Sequence, residues 1–458
     1  MIQWKNKRVA VVGLGISNIA LIQFLVKAGA IVSGRDRKSA QQLGDHYQQL
    51  TDLGVELGLG EEYLRHLKQY DAVFLTPGIP KHMPEIQELM GVVPLLSEIA
   101  LVLAYAQAKV FAITGSSGKT TTTTLVGEML KASGCKTYVG GNIGVPLIEQ
   151  IAEIPTDARI VLELSSFQLE LLDLSPHGAL VTNISENHLD VHLNMESYIL
   201  AKKQIYRHQS ASDICVFNFD DNLTKVMSNE AVGDTYFFSM HQKVPRGTYL
   251  HDGKLMYCDG DQSLTIIERD KLCVLGEHNV ANMLAATLFA YLAGASWDAI
   301  RTVAREFTGV PHRLERVAEI AGIQFYNSSI ATSPSRAIAD INAFSQPIIL
   351  IAGGYDKHLS FTKFAEEVCQ KVKELILLGE TASLIAKSII EVNQPELVNV
   401  HYVKSLAEAV CLANSLASPG EVVLLAPACA SFDMYANFGE RGDHFRRLIQ
   451  NLSSEEVR

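Results

Sequence analysis

The chain has 458 residues, 48% of them hydrophobic and 19% charged, which excludes a disordered chain and exceeds what one hydrophobic core supports. Its net charge of −11, from 39 Lys and Arg against 50 Asp and Glu, comes without any Lys/Arg block, so no nucleic-acid partner is expected. Seven single cysteines without a C-x-x-C pair read as reduced thiols, and Met1-Ile-Gln-Trp-Lys-Asn-Lys-Arg8 carries no apolar leader, so a cytoplasmic protein is expected. The longest apolar stretch, residues 94–113, is interrupted by Glu98 and Lys109, and no integral membrane segment is expected.

In chain order, Lys7 to Val12 is an apolar run, Gly13-Leu-Gly15 a tight turn and Ser17 to Lys27 a helical pattern closed by Gly29 before a second run from Ala30 to Ser33. This is a β-α-β unit. The turn has Asn18 where G-x-G-x-x-G has its third glycine, so it is a weak dinucleotide fingerprint. Asp36, just past the second run, suits either a nucleotide's base or sugar, or the cap of a turn. A further run, Ala72 to Leu75, ends in Thr76-Pro-Gly-Ile-Pro80, a position where ligands of open α/β sheets lie.

The strongest motif follows at residues 110–124, where the strand Val110 to Ile113 enters Thr114-Gly-Ser-Ser-Gly-Lys-Thr-Thr121 and a helix opens. Gly115 and Gly118 allow a tight backbone whose N–H groups, with those of Ser116, Ser117 and Thr121, can face a phosphate. Lys119 adds a cation and Thr120 a hydroxyl for Mg²⁺. Ile113 stands where G-x-x-x-x-G-K-[ST] has its first glycine, so the match is to a shorter form of that loop. ATP and Mg²⁺ are therefore expected. Two further strand patterns, Ile160 to Leu164 and Gly178 to Asn183, end in polar residues, and alternating runs between about Cys215 and Cys273 with Asp-Gly turns read as hairpins. Gly276-Glu-His-Asn279 opens an Ala-rich helix. From about Val310 onward, strand runs at Pro347 to Ala352, Glu374 to Leu378 and Val422 to Ala426 read as another α/β sheet.

Together, Thr114-Gly-Ser-Ser-Gly-Lys-Thr-Thr121, Gly141-Asn-Ile-Gly144, Glu163-Leu-Ser-Ser-Phe-Gln168, Asn183 with His188, Gly276-Glu-His-Asn279 with Asn282, and His312-Arg-Leu-Glu315 resemble the ATP-dependent muramyl ligases over nearly the whole chain. Glu163-Leu-Ser-Ser-Phe-Gln-Leu169, Gly353-Gly-Tyr-Asp-Lys357 and Ala426-Pro-Ala-Cys-Ala-Ser-Phe-Asp433 look most like the branch that adds D-glutamate. The resemblance implies three α/β domains: a Rossmann-like one for the UDP end of a substrate (1–97), a central P-loop ATPase domain (98–309) and a Rossmann-like C-terminal domain for the amino acid (310–458). It implies UDP-N-acetylmuramoyl-L-alanine and D-glutamate as small-molecule substrates, and a monomer. A folylpolyglutamate-synthase-like ligase with another acceptor, or an impaired paralogue that only binds nucleotide, stand as the alternatives.

The same resemblance assigns roles. Lys119, Glu163, His188 and Lys202 are implied as catalytic, with Thr120, Glu163, His188 and a CO₂-carbamylated Lys202 toward Mg²⁺. Lys203 is the neighbouring alternative, since a Lys-Lys pair on a helix face is otherwise solvated. Asn279, Asn282 and Arg313 are implied for ATP besides the loop, and Asp36, Asn142, Ser165, Lys357, Ser431 and Phe438 for the other substrates, with core packing as the alternative for Phe438. The chain departs from the branch at Asn327-Ser-Ser-Ile-Ala-Thr332, where Asn-Asp-Ser-Lys-Ala-Thr is typical: Ser328 replaces an acid and Ile330 a base. The expectation is that the hydroxyls of Ser328 and Thr332 hold the ribose and that Arg336 supplies a cation.

Overall fold

The computed structural model describes residues 3–185, 194–274, 276–357, 359–392 and 398–455. It divides into two compact units, Met1–Leu272 with Glu277–Phe307, and Cys273–Gly276 with Thr308–Arg458. The first contains two sheets and the second contains one, which makes a three-domain α/β fold.

The first sheet is parallel and ordered β3-β2-β1-β4-β5, from β1 (Arg8–Val12), β2 (Ile31–Asp36), β3 (Glu56–Leu59), β4 (Ala72–Leu75) and β5 (Leu95–Leu96). β1 and β4 are apolar almost throughout because helices cover both faces, so neither shows the alternation of a half-exposed strand. The helix Ile16–Lys27 between β1 and β2 returns the chain for parallel pairing.

The second sheet has nine strands in the order β14-β13-β12-β11-β10-β9-β6-β8-β7. They are β6 (Lys109–Thr114), β7 (Thr137–Gly141), β8 (Arg159–Glu163), β9 (Gly178–Val181), β10 (Ile214–Asn218), β11 (Asp234–Ser239), β12 (Arg246–His251), β13 (Lys254–Asp259) and β14 (Gln262–Glu268). The hairpins expected from Cys215 onward begin only at β12. Cys215 itself lies in β10, a parallel strand paired with β9 and β11, because Ile-Cys-Val-Phe is apolar on consecutive positions and is buried on both faces. The antiparallel pairs β12–β13 and β13–β14 turn at Asp252-Gly253 and Gly260.

The helix Lys119–Ala132 packs on the helix Glu277–Leu292, joined by buried Leu125, Met129, Met283 and Leu284, with Phe111 and Phe289 edge-to-face at 5.6 Å. Each such fully buried large side chain contributes roughly 2 kcal/mol. This packing fixes the start of the first helix against the second.

The third sheet is ordered β15-β16-β20-β17-β18-β19, from β15 (Glu315–Ile320), β16 (Ile323–Asn327), β17 (Ile348–Ala352), β18 (Val372–Leu377), β19 (Asn399–Tyr402) and β20 (Val422–Leu425). Only β15 runs antiparallel to its neighbour. The strand order reverses at β20, so the loops after β16, β17 and β20 gather at one end. That is where open parallel sheets bind ligands.

Candidate active site

In the second sheet the order reverses at β6, which lies between β8 and β9. The phosphate loop leaves that strand at its carboxyl end. Gly115 has φ 148° and Gly118 φ 78°, and a Cβ at either would meet Thr182 Oγ1 at 1.9 Å or Asn282 Oδ1 at 2.2 Å. Only glycine fits both positions. Gly118 gives the following helix no side-chain cap, which leaves that N-terminus open to an anion.

Side chains of the neighbouring strand end hold the loop. Ser117 N–H donates to Asn183 Oδ1 at 3.0 Å, Thr182 Oγ1 donates to the Ser117 carbonyl at 2.7 Å, and Ser116 Oγ lies 2.9 Å from the Tyr198 hydroxyl. The Lys119 ammonium folds back to the carbonyls of Gly115 and Ser116 at 2.9 and 3.3 Å. Thr120 is half-buried at the first helical turn, with Thr121 buried beside it. Thr182 and Tyr198 were not singled out from the sequence, although polar residues after the apolar run of β9 were the available signal.

The helix Met195–Arg207 starts at Asn194, whose side chain accepts from Ser197 N–H in a reciprocal capping box. It buries Tyr198, Ala201, Lys202, Ile205 and Tyr206, a spacing that defines one helical face. Lys202 is therefore inside, with 1% of its surface exposed, and Nζ donates to the Gly115 carbonyl at 2.8 Å and to Thr114 Oγ1 at 3.3 Å. Burial, helped by the charge of Lys119, pulls its pKa down to about 6. Lys203 points elsewhere and pairs with Glu230 at 2.7 Å.

Glu163 ends β8 with 1% exposure. Its Oε1 accepts from Asn142 Nδ2 at 2.8 Å, whereas buried Oε2 has no hydrogen-bond partner among the described residues. An unpartnered buried carboxylate oxygen is costly in a protein interior, and a hard cation would satisfy it. No three His, Cys, Asp or Glu side chains converge as a metal cluster among the described residues. His188 lies outside the described residues. Ser165 caps the helix Ser166–Leu169 in a box with Gln168, which is what its hydroxyl does in this structure.

Asn282 is buried beside Gly118, and its carboxamide donates to Asn279 Oδ1 at 3.3 Å, so these two residues share one face next to the loop. In the first sheet, Asp36 accepts from Leu14 N–H at 2.6 Å and from Lys38 N–H at 2.8 Å. The carboxylate thereby braces the glycine turn after β1, the capping half of the expectation.

In the second unit, Arg313 sits between two non-glycine residues in left-handed backbone, His312 at φ 63° and Leu314 at φ 44°. Such conformations cost on the order of 1–2 kcal/mol each and persist where surrounding bonds over-determine them. Here His312 N–H donates to Glu315, the His312 carbonyl accepts from Ile330 N–H at 3.1 Å, and Leu314 N–H donates to Ser328 Oγ at 3.3 Å. Burial lowers the His312 pKa, and its ring lies 3.2 Å from Asn327 Nδ2. Ser328 is wholly buried and its hydroxyl committed, which removes it from ribose binding in this structure. Thr332 is half-buried, and exposed Arg336 donates to the Ile330 carbonyl at 3.3 Å.

The loops after β17, β18 and β20 meet at Thr381, whose Oγ1 accepts from Gly354 N–H at 3.1 Å and lies 3.1 Å from Cys429 Sγ. Lys357 is exposed, Ser431 is buried, and the isolated bridge between Tyr355 and Ala430 joins their loops. Phe438 opens the last helix with 38% exposure, its ring 6.2 Å from that of His312, so core packing does not explain it. Buried Arg441 ties these loops together, donating to Ser329 Oγ and to the carbonyls of Ser329, Cys429 and Ala430. No sequence signal separated it from other helix arginines.

A switch-point site in the second sheet that carries a phosphate loop, a buried lysine and an unpartnered glutamate oxygen defines a nucleotide-dependent α/β enzyme. Three models of one family match in order: the Mur ligase MurD-like N-terminal domain over residues 7–93, the Mur ligase middle domain over 113–290 and the Mur ligase glutamate ligase domain over 312–429. The chain belongs to the Mur ligase family. It is 48% identical to the UDP-N-acetylmuramoylalanine–D-glutamate ligase of Symbiobacterium thermophilum, over 98% of this chain and 99% of that protein. It is 46% identical to the protein of the same name from Clostridium botulinum strain 657, over 98% and 97%. Among solved structures, the UDP-N-acetylmuramate–alanine ligase of Thermotoga maritima shares the fold at a TM-score of 0.55 and 19% identity, over 97% of this chain and all of that one. A pseudomurein peptide ligase type C from Methanothermus fervidus does so at 0.54 and 17%, over 98% and 100%.

Proposed function

We propose that the chain is an ATP-dependent ligase that joins D-glutamate to UDP-N-acetylmuramoyl-L-alanine, a step of peptidoglycan precursor synthesis. The observation that carries this reading is full-length similarity at 46–48% to proteins of that name, on a chain whose phosphate loop is bonded by Lys202 and leaves the strand paired with that of Glu163.

A substrate carboxylate oxygen attacks the γ-phosphorus of ATP, the bond to the β-phosphate oxygen breaks, and ADP leaves. The amino group of glutamate then attacks the acyl carbon of the acyl phosphate, loses a proton and expels inorganic phosphate. Both steps build negative charge, so preorganised N–H groups and cations do most of the work. The loop amides of residues 115–121 and the Lys119 ammonium supply them, and Asn279 with Asn282 lie beside the loop for the adenine. Glu163 Oε2 and the Thr120 hydroxyl fit Mg²⁺, which when bound neutralises charge on the phosphate oxygens. His188 and a carbamylated Lys202 complete that set in this reading. A lysine held near pKa 6 is a free amine at neutral pH, able to add to CO₂ with loss of one proton.

Residues 1–97, with Asp36, would take the UDP end of the substrate, and Asn142 and Ser165 its muramoyl-alanine end. Residues 98–309 would hold ATP. Residues 310–458 would bring glutamate on Lys357, Ser431 and Phe438 and offer Arg313 to the ATP phosphates. The groups invoked lie on one chain, which fits a monomer, and no helix among the described residues is long and apolar enough to cross a membrane. ATP and a sugar nucleotide as substrates fit a cytoplasmic reaction. Phosphate release from ATP is the test, with UDP-N-acetylmuramoyl-L-alanine and a panel of D- and L-amino acids. Release with D-glutamate alone supports the reading, release with another amino acid redirects it, and ATP binding without acceptor-dependent release refutes it.

A further inference from the structure

The helix Pro334–Ile341 carries Arg336 and Asp340 four residues apart, on one face. Asp340 lies at the turn that ends β16: its carboxylate accepts from the Ser328 hydroxyl, and the guanidiniums of Arg313 and Arg336 are the charges acting on it. The same Ser328 oxygen accepts from Leu314 N–H at 3.3 Å, directly after Arg313. One hydroxyl thus links an acid on a helix to a turn held in left-handed backbone on both sides of Arg313. Arg336 closes the arrangement by donating to the Ile330 carbonyl at 3.3 Å, while Ile330 N–H donates to the His312 carbonyl at 3.1 Å.

We infer that Asp340 is a positioning residue for Arg313, acting through Ser328 to hold the strained 312–314 turn and orienting the guanidinium toward an ATP phosphate. This rests on the proposed role of Arg313. One acid between two arginines leaves a net positive charge, as an anion site requires. With Asp340 ionised, its charge orients both guanidiniums; protonated, it releases them. Burial raises its pKa to about 6 against the lowering effect of Ser328, Arg313 and Arg336, so the change falls in an accessible range. Neither residue alone pointed here in the sequence, because Ser328 and Asp340 are twelve positions apart on different elements.

The experiment compares wild type, Asp340→Asn, Arg313→Ala, the double variant and Ser328→Ala by steady-state kinetics between pH 5.5 and 8, with thermal unfolding of each. Asp340→Asn and Ser328→Ala are expected to raise KM for ATP about tenfold, leaving KM for the muramoyl substrate and glutamate within about twofold. In the Arg313→Ala background the Asn substitution should add nothing. Wild-type KM for ATP should climb as pH falls through about 6, and that of Asp340→Asn should stay flat. An unchanged KM for ATP, or the same rise with and without Arg313, overturns the inference. Wild-type turnover with D-glutamate in the same assay keeps this failure distinct from failure of the proposed function. If Asp340→Asn unfolds, Ser328→Ala decides by the same two criteria.

Discussion

The Lys202 side-chain nitrogen lies 2.8 Å from the Gly115 carbonyl oxygen, so a helix 87 positions downstream is tied to the first glycine of the phosphate loop. Beside it, Lys119 makes its own bond to that carbonyl at 2.9 Å. Two lysines on one oxygen are held against their mutual repulsion, and burial with that repulsion favours neutral Lys202. Carbamylation of Lys202, as proposed, would place an anion beside Lys119 where a second cation is disfavoured.

Lys202→Ala is therefore expected to be nearly inactive, by roughly two orders of magnitude or more, and to regain activity with added acetate in place of the missing carboxylate. Lys203→Ala should be mild, since its partner is Glu230 on the protein surface. Activity assays with and without acetate check both, and equal losses in the two variants would remove the carbamate.

Lys119→Ala should cost roughly two to three orders of magnitude in kcat while the protein stays folded, because the residue lies in a ligand loop and no core depends on it. Circular dichroism establishes folding and single-turnover kinetics the loss. Retention of more than about a tenth of the wild-type rate would contradict the assignment.

Gly118→Ala tests the loop's shape without touching a charge. The substitution places a methyl group 2.2 Å from Asn282 Oδ1 on a backbone at φ 78°, so the loop or the carboxamide must move. ATP affinity by calorimetry should fall about tenfold or more, and wild-type affinity would show that the amides of this loop do not hold phosphate.

Much of this site was legible in the sequence because it is local. The loop and its helix are contiguous, whereas Lys202 was set apart from Lys203 only by the resemblance, since a Lys-Lys pair on a helix face reads as solvated and burial shows itself only in the fold. The second unit was less legible. Arg313 was named from the resemblance, but its left-handed neighbours, the Ser328 bond and Asp340 depend on a turn, a strand end and a helix that meet only in the fold. Ser328 was read as a ribose ligand because it replaces an acid while Ile330 replaces a base, and tertiary packing buries it. The strand at Cys215 was read as part of a hairpin because a short apolar run does not reveal whether its neighbours are parallel.

Glu98 sets the expected pH dependence of stability. It is buried at the start of the helix Glu98–Tyr105, and burial raises its pKa from 4.5 to about 7 against the Ile148 N–H bond. Between these values the folded state binds more protons than the unfolded one, so this group's contribution to stability declines as pH rises toward 7 and stays low above it. Glu98→Gln should stabilise the protein by on the order of 2 kcal/mol at pH 8 and little at pH 4.5. Urea unfolding at the two pH values measures this, and equal effects at both would mean that Glu98 does not titrate in that range.

The central claim is an acyl phosphate formed on the muramoyl-alanine carboxylate at this loop. Turnover of ATP and D-glutamate with that carboxylate labelled in ¹⁸O tests it directly, by mass spectrometry of the released phosphate. One labelled oxygen per phosphate is the predicted result, since the attacking oxygen leaves with phosphorus when the amine displaces it. Unlabelled phosphate from the same turnover would contradict the account.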